Sequence, residues 1–117
     1  MNEARFKRII GLATVDRKLD LKNKQLTSLP ESIGDLTSLT SVDLRTNRLA
    51  SLPESISNLT RLTHLYLSSN QLTSLPKSIT NLINLTDLDS CDNPIVDFSI
   101  LQDLPNLKKL FFRYYFP

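Results

Sequence analysis

The sequence predicts an α/β solenoid, in which a parallel concave β-sheet of about five strands packs against a convex side of short 3₁₀ turns. Three observations predict this fold class. Three similar 12-residue segments begin at Ser28, Ser51 and Ser74, which are 23 residues apart: SLPESIGDLTSL, SLPESISNLTRL and SLPKSITNLINL. Short segments between them alternate apolar and polar residues, and 23 of the 117 residues are leucine. A fixed period with one recurring apolar residue indicates windings that bury their apolar sides on one another.

The strands are predicted from the alternation. In SVDLR (41–45) and HLYLS (64–68), apolar residues stand at every second position. This period of two is typical of a strand that is buried on one face only. Because such a segment recurs at the same point of each repeat, we expect the strands to lie side by side, parallel and in register.

The convex turns are predicted from the second half of each repeat. Leu52, Ile56 and Leu59 are separated by four and then three residues, which is the spacing of one apolar side of a tight helical turn. Proline stands at positions 30, 53 and 76, where its missing N–H suits the first position of such a turn. Neither strand nor turn buries its apolar side alone, so the windings are expected to stack.

The repeats share the pattern LxxLxLxxNxL, continued by xxLPxxIxxL. Full copies are LTSVDLRTNRL (39–49), LTHLYLSSNQL (62–72) and LTDLDSCDNPI (85–95), with LDLKNKQL (19–26) before them and LKKLFF (107–112) after them. The last copy arrives after 22 residues instead of 23. The chain therefore resembles the leucine-rich-repeat family, in particular the 23-residue, LP-containing class of Ras-group-related and bacterial proteins. The resemblance covers about residues 16 to 112 and implies a right-handed horseshoe arc.

Three asparagines fall one period apart, where each predicted strand ends: Asn47, Asn70 and Asn93. An amide side chain offers both a donor and an acceptor, so a column of them can pair backbone groups that the chain buries there. The resemblance implies this structural asparagine ladder. Lys24 and Tyr115 stand at the same slot of the first and last copies, so we expect the ladder to be absent at both ends.

The chain is expected to form one domain over residues 1–117. Residues 1–15 are predicted to form a helical cap, because Phe6, Ile9, Ile10 and Ala13 share one side of a helix. Residues 16–106 are predicted to form the coils of the solenoid. A cap is expected because the terminal coil of a solenoid has no neighbour to cover it.

Residues 107–117 are predicted to hold the last strand and an aromatic C-terminal end, LFFRYYFP (110–117). An open strand edge beside exposed aromatic side chains favours association. Three interpretations stay open at this end. The chain is a piece of a longer protein, or the end is a subunit contact that gives a homodimer, or the aromatic residues fold over the last coil.

One coil is expected to be irregular. Ser90 stands in the inward slot that leucine fills at positions 44 and 67. The smaller side chain predicts either a cavity or a buried hydroxyl, which costs about 1–3 kcal/mol. Cys91 follows directly, so a local bulge is a further expectation.

Composition argues against several classes of partner. A net charge of +2 without a cluster of lysine or arginine argues against nucleic acid. No apolar run approaches the roughly 18 residues that cross a bilayer, so no membrane partner is expected. Cys91 is the single cysteine, which excludes an intramolecular disulfide and favours a reducing compartment. The expected location is the cytoplasm, with a secreted bacterial effector as an open alternative.

The sequence contains no motif of catalysis or of metal binding. Cys91 and His64 would have to form any cysteine–histidine pair, and the repeat register separates them by roughly 14 Å, beyond the reach of a hydrogen bond. Asp87 and Asp89 share one face of one strand, but no histidine or third carboxylate is fixed opposite them. We therefore expect no enzyme, no cofactor and no metal, and interpret this pair as an acidic spot that faces a partner.

The outward residues of the predicted sheet form columns, because in-register strands align equivalent positions. Two pairs of neighbours carry like charges, Asp20 beside Asp43 and Lys22 beside Arg45. The repulsion within each pair costs stability unless diagonal ion pairs offset it. Tyrosine and arginine are residue types that interfaces favour. The candidate partner-binding residues are the charged and aromatic members of the columns: Lys18, Asp20, Lys22, Asp43, Arg45, His64, Tyr66, Asp87, Asp89, Lys109, Phe111 and Arg113.

The sequence thus predicts a non-catalytic module that binds a protein partner on its concave face. Known members of the resembled class scaffold signalling complexes or, in bacteria, engage host or self proteins, so the resemblance implies protein recognition without naming the partner. Two alternatives stay open. One is a substrate-targeting segment of a larger signalling or ligase enzyme, and the other is a structural element that self-associates through its C-terminal edge.

Overall fold

The computed structural model describes residues 3–111 and, within them, the side chains of all but residues 12, 13 and 109–111. The chain starts with helix α1 (Glu3–Ala13). Six short strands follow in chain order: β1 (Thr14–Val15), β2 (Lys18–Asp20), β3 (Ser41–Asp43), β4 (His64–Tyr66), β5 (Asp87–Asp89) and β6 (Lys109–Phe111). Each of β2 to β5 is followed by a 3₁₀ turn, and these turns are Glu31–Asp35, Glu54–Asn58, Lys77–Asn81 and Ser99–Asp103.

The strands form one sheet in the order of the chain. β2 to β6 are parallel, and each residue pairs with the residue one repeat later, so that Leu65 lies between Val42 and Leu88. The predicted parallel sheet of five strands and its register are confirmed. The structure adds β1, which pairs antiparallel with β2.

A two-residue turn joins β1 to β2. Asp16 and Arg17 have φ angles of 52° and 63°, and two consecutive positive φ angles belong to the tight turns that join antiparallel strands. Such turns are usually signalled by Asn-Gly or Asp-Gly, whereas this one reads Asp-Arg. The sequence pattern therefore gave no sign of the hairpin.

The core lies between the sheet and the turns. Each coil sends apolar side chains inward from its strand, such as Leu65 and Leu67, and meets them with an isoleucine or leucine from its turn, such as Ile79. All three of these residues have no exposed surface. Because burial of a leucine or isoleucine side chain contributes about 1.5–3 kcal/mol, the repeated column is the main source of stability.

Helix α1 closes the first coil. Phe6 is buried, and Ile9 and Ile10 pack against the core beside it, as the cap prediction requires. Glu3 accepts a hydrogen bond from the Ser32 hydroxyl at 2.6 Å, which joins the helix to the first convex turn. Ala13, the fourth residue of the predicted apolar side, belongs to the positions whose side chains are not described.

The convex turns repeat the same contacts. Pro30, Pro53 and Pro76 precede the first three turns with φ angles of −72°, −66° and −63°, which a proline ring favours. Neighbouring turns are joined by serine: the Ser55 hydroxyl donates to the carbonyl of Glu31 at 2.7 Å, and the Ser78 hydroxyl to the carboxylate of Glu54 at 2.6 Å. The fourth turn follows Phe98 instead of proline, in the copy that is one residue shorter.

The asparagine side chains hold adjacent coils together where the chain leaves the sheet. Asn70 donates to the carbonyls of Leu44 and Leu67, both at 2.9 Å, and accepts from the N–H of Leu49 at 3.0 Å. The same arrangement recurs one period earlier at Asn47 and one period later at Asn93. All three side chains are buried, so the ladder pairs groups that water does not reach.

The coil of Ser90 and Cys91 is regular, and the expectation of a bulge there is wrong. Ser90 is buried and β5 keeps its register with β4. The backbone bond from Ser69 N–H to the Cys91 carbonyl, at 2.9 Å, matches the one from Thr46 N–H to Ser68 at 3.0 Å. Since the backbone pairing continues on both sides of Ser90, one smaller side chain does not change the path of the chain.

Candidate functional site

The predicted binding residues lie on the concave face in the order that the repeat implies. Those on β2 to β5 occupy the outward positions of the sheet: Lys18, Asp20, Asp43, His64, Tyr66, Asp87 and Asp89. Lys22 and Arg45 lie two residues past the ends of their strands, where a bond from Asn23 N–H to the Arg45 carbonyl continues the pairing at 3.1 Å. Lys109 and Phe111 belong to β6, but their side chains are not described, and Arg113 lies outside the described residues.

Arg45 is the centre of a connected group of side chains on this face. Its Nε and Nη2 atoms donate to the two carboxylate oxygens of Asp43 at 2.9 and 2.6 Å. The same guanidinium carbon lies 5.0 Å from the ring centroid of Tyr66, within the range of a cation–π contact. The hydrogen bonds from Arg45 to Asp43 raise the pKa of the guanidinium above its ordinary value. The charge and the aromatic ring are thus fixed against each other.

Asp43 differs from the prediction. It was expected to face a partner, but its side chain is 12% exposed because the guanidinium covers it. A carboxylate with two forked hydrogen bonds and little exposed surface holds the arginine in place. Asp43 is therefore a positioning residue, and Arg45 and Tyr66 present the accessible surface.

Diagonal ion pairs offset the repulsion between Asp20 and Asp43 on neighbouring strands. Lys22 Nζ lies 3.3 Å from Asp20 Oδ2 and 3.7 Å from Asp43 Oδ2, so one ammonium serves the carboxylates of two neighbouring strands. The backbone N–H of Lys22 also donates to Asp20 Oδ1 at 3.0 Å. This hydrogen bond is the largest cause that lowers the pKa of the Asp20 carboxyl below its ordinary value.

His64 and Asp87 lie opposite each other on neighbouring strands. His64 Nε2 lies 3.7 Å from Asp87 Oδ2, and the other ring nitrogen, Nδ1, lies 2.8 Å from the hydroxyl of Thr63. The hydroxyl of Thr86 donates to Asp87 Oδ1 at 2.8 Å. With the His64 ring centroid 6.0 Å from that of Tyr66, the tyrosine lies between the arginine and the histidine.

The described charges differ between the first two coils and the fourth. The first two coils carry three cations, Lys18, Lys22 and Arg45, together with the carboxylates of Asp20 and Asp43. The fourth carries Asp87 and Asp89. Asp89 accepts a hydrogen bond from the N–H of Cys91 at 3.2 Å, and no described cation lies within ion-pair distance of it. Tyr66 therefore lies between coils of mixed charge and a coil whose described outward charges are acidic.

Sequence reasoning missed one part of this face. A hollow of about 380 Å³ lies between the β1–β2 hairpin and the centre of the sheet, and Val15, Lys18, Asp20 and Tyr66 are among the residues that line it. Val15 is 66% exposed. Val15 could be placed beside this hollow only once the β1–β2 hairpin was known, and the Asp-Arg turn gave no signal for that hairpin.

Within residues 3–111 no three potential ligands from His, Cys, Asp and Glu come together as a metal-ion site would require. No helix in the same range has both the length and the apolar character to span a membrane. The described side chains that do come together on the concave face include charged and aromatic ones.

A family model described as a leucine-rich repeat region matches residues 5–112. The chain belongs to the leucine-rich-repeat family. Domains with this fold generally mediate protein–protein interaction. A search of curated proteins gave no significant match.

Solved structures of other leucine-rich-repeat proteins resemble the chain. A leucine-rich-repeat protein of Leptospira interrogans is 40% identical over 73% of this chain and 22% of its own, with a TM-score of 0.65. The internalin InlF of Listeria monocytogenes is 27% identical over 95% of this chain and 30% of its own, with a TM-score of 0.73. The BIR3–SERK2 complex of Arabidopsis thaliana includes a chain 36% identical over 80% of this chain and 54% of its own, with a TM-score of 0.69.

The leucine-rich-repeat chain described here spans between about a fifth and just over half of the length of these three proteins. The shared part is the leucine-rich-repeat fold. One of the three structures is a complex between two proteins.

Proposed function

We propose that this leucine-rich-repeat chain binds a protein partner on its concave face and carries out no chemistry of its own. The proposal depends on a contrast between repeated and unrepeated positions. Asn47, Asn70 and Asn93 are identical from coil to coil, and each bonds a neighbouring coil. The outward positions of the sheet vary more, although the backbone there is the same: Lys18, Ser41, His64 and Asp87 are equivalent, and Tyr66 stands where positions 20, 43 and 89 have aspartate.

The observation that carries the proposal is the arrangement of Asp43, Arg45 and Tyr66. Aromatic and arginine side chains supply most of the binding energy in many interfaces, and they supply more when they are ordered before binding. Here the forked pair at 2.6 and 2.9 Å fixes the arginine, and the arginine covers one side of the tyrosine ring. Such prepared anchors are consistent with a specific partner.

The charges without an ion pair on this face indicate which charges the partner would present. A matching partner would present an acidic group to Lys18 and a basic group to Asp89, neither of which has a described ion-pair partner. Complementary charges of this kind increase the rate of association and fix the orientation more than they increase affinity. We therefore expect association that slows as the salt concentration rises.

Affinity capture from a lysate of the source organism tests the proposal. The bait is the whole chain, and the test bait is the double variant Arg45→Gln and Tyr66→Ala. We expect the parent to retain a protein that the double variant retains at least about tenfold less, since loss of interface anchors often costs more than 1 kcal/mol each.

The matched control is Arg61→Gln, which removes an exposed arginine from outside the sheet. This variant should retain the partner as the parent does. Thermal unfolding of all three baits must agree within a few degrees, so that loss of capture is not loss of folding. Equal capture by the parent and the double variant would contradict the concave-face proposal.

A further inference from the structure

A row of threonine hydroxyls joins neighbouring coils where the chain enters the sheet. Three threonines directly precede strands β3, β4 and β5: Thr40, Thr63 and Thr86. Each hydroxyl lies within hydrogen-bond distance of the carbonyl oxygen one repeat earlier, at 3.4, 3.0 and 3.1 Å in that order. In the third coil the threonine is followed by His64, so that this hydroxyl also meets an imidazole ring.

The hydroxyl of Thr63 lies between two partners. Its oxygen is 3.0 Å from the carbonyl oxygen of Thr40 and 2.8 Å from Nδ1 of His64. A threonine hydroxyl has one hydrogen to donate, but its oxygen also accepts. It therefore bonds both partners at once only if it donates to the carbonyl and accepts a hydrogen from Nδ1.

The opposite tautomer of the neutral ring makes fewer hydrogen bonds. With the hydrogen on Nε2, the bare Nδ1 of His64 and the Thr40 carbonyl compete for one hydroxyl hydrogen. The hydrogen on Nε2 would face Asp87 Oδ2, which lies 3.7 Å from Nε2, beyond the range of a hydrogen bond. Because the hydrogen bond of one ring nitrogen sets which nitrogen carries the proton, this geometry favours Nδ1–H.

Nε2 of His64 is then an acceptor on the concave face. The side chain is 39% exposed, and no described residue donates a hydrogen bond to Nε2. Asp87 is itself an acceptor, and its Oδ1 already receives the hydroxyl of Thr86 at 2.8 Å. The ring of Tyr66 lies 6.0 Å away between centroids. Lys109 is the neighbour of Asp87 on β6, and its side chain is not described.

We propose that Thr63 is a positioning residue, which holds the neutral His64 ring with its hydrogen on Nδ1 and so presents Nε2 as an acceptor to an N–H or O–H group of the partner. An acceptor at an interface selects among partners, because a partner without a donor there leaves the nitrogen dehydrated and unpaired. The use of Nε2 by a partner rests on the proposed concave-face function, whereas the tautomer of the free chain does not.

The tautomer is measured on the free chain. His64 is the single histidine of the sequence, so its two ring nitrogens are the only imidazole signals in a ¹⁵N nuclear magnetic resonance spectrum. At about pH 9 histidine side chains are neutral, and a protonated ring nitrogen resonates apart from a bare one. We expect Nδ1–H to exceed Nε2–H at least about threefold, a ratio that one net hydrogen bond supports. An excess of Nε2–H would overturn the proposal.

Substitutions of Thr63 show whether its hydroxyl sets the tautomer. Thr63→Val keeps the shape of the side chain and removes the hydroxyl. Nδ1 then loses its partner, and the Asp87 carboxylate should draw the hydrogen to Nε2, so that the ratio inverts. Thr63→Ser returns the hydroxyl and should return the ratio of the parent, a rescue that packing alone would not produce.

The matched control is Thr40→Val. It removes the equivalent hydroxyl one coil earlier but leaves the Thr40 carbonyl that Thr63 bonds, so the ratio should stay that of the parent. An unchanged ratio in Thr63→Val, or the same change in Thr40→Val, would show that the Thr63 hydroxyl does not position the ring. The spectrum of the parent decides the tautomer even if Thr63→Val fails to fold.

Retention of the captured partner shows whether Nε2 is used. His64→Phe keeps an aromatic ring without the acceptor, and Thr63→Val places a hydrogen on it. Each should retain at least about threefold less partner than the parent, as the loss of one hydrogen bond implies, and Thr63→Ser should retain as much. Full retention by both variants would overturn the role of Nε2, even where the Arg45→Gln and Tyr66→Ala double variant loses the partner. Full retention by that double variant would instead count against the proposed function.

Discussion

The outer and inner sides of the solenoid differ in how strictly they repeat. On the outer side, serine recurs at 32, 55 and 78, and each hydroxyl bonds a group one coil earlier or on the cap helix. On the inner side, the position of Tyr66 is aspartate in the coil before it and in the coil after it. Both sides have a regular backbone, so the two sides differ in what their side chains do. Repetition marks residues that join coils, and variation marks residues that the fold leaves free.

This comparison predicts that substitutions at repeated positions change stability, whereas substitutions on the inner side change binding. The asparagine ladder provides the first and largest test of this comparison. Asn70→Ala leaves the buried N–H of Leu49 without a partner. The Leu44 and Leu67 carbonyls each lose one of two asparagine donors and keep the bond from Asn47 or Asn93. A buried polar group without a partner costs about 1–3 kcal/mol, so we expect a loss of about 1–3 kcal/mol in the free energy of unfolding, measured by urea denaturation.

The matched control for the ladder is Asn81→Ala, an exposed asparagine on the convex side. It should change the free energy of unfolding by no more than about 0.5 kcal/mol. If both alanine variants unfold at the same urea concentration, the ladder does not carry the stability that its hydrogen bonds indicate.

The second prediction concerns the close contact between the first two convex turns. A Cβ atom at Gly34 would lie 2.7 Å from both the Cβ and the carbonyl oxygen of Ser55, closer than such atoms approach. Gly34→Ala therefore has to push the two turns apart, and we expect it to cost about 1–3 kcal/mol, the usual range for overpacking.

Position 57 is equivalent to position 34 one repeat later and carries serine. Ser57→Ala should change stability by no more than about 0.5 kcal/mol, because its hydroxyl makes one exposed hydrogen bond, to Glu54. The pair is compared by thermal unfolding. A stable Gly34→Ala variant would show that the two turns can separate freely, contrary to their packing here.

The third prediction is a gain in stability. The residue before each ladder asparagine has a positive φ angle, 58° at Thr46, 58° at Ser69 and 57° at Asp92, and so does Asn23 before Lys24, at 54°. A β-branched residue is strained in this conformation, whereas asparagine adopts it more readily. We expect Thr46→Asn to raise the free energy of unfolding by about 1 kcal/mol. Thr73→Asn, at an exposed threonine without a positive φ angle, should have no effect of that size, and equal effects would contradict the strain at Thr46.

The smallest effect on the free energy of unfolding is expected from protonation of Asp20, on the inner side. Its pKa is lowered chiefly by the Lys22 backbone N–H, so this carboxyl stabilises the fold above its unfolded pKa of about 3.9. That contribution is lost as the pH falls through the lower pKa of the folded state. The effect is small because the side chain is 58% exposed, and solvent screens it.

Nuclear magnetic resonance titration of the Asp20 carboxyl should give a midpoint below the ordinary value. In Lys22→Gln the midpoint should stay low, since the backbone N–H remains. A return to the ordinary value in that variant would assign the shift to the ammonium group instead.

Much of the fold followed from the sequence because the repeat applies one rule to each coil. Leu65, Ile56 and Asn70 could each be placed from the position of their copies one period away. The β1–β2 hairpin could not, because the Asp16–Arg17 turn occurs once and lacks the usual glycine. The regular path through Ser90 was also missed, since backbone pairing with the neighbouring coil decides it and the identity of one side chain does not.

The columns of the concave face followed from the register, but the roles within them did not. Asp43 and Asp89 are the same residue at equivalent positions, yet Arg45 covers the first and no described cation pairs with the second. That difference depends on long side chains reaching across strands, and a period in the sequence does not specify their direction.

Hydrogen–deuterium exchange on the chain with and without its captured partner tests the division between the two sides most directly. The account predicts added protection in peptides that contain β3, β4 and the residues directly after them, including Arg45 and Tyr66. Peptides of the convex turns, Glu54–Asn58 and Lys77–Asn81, should exchange as they do in the free chain. Protection of the convex turns without protection of β3 and β4 would contradict the account.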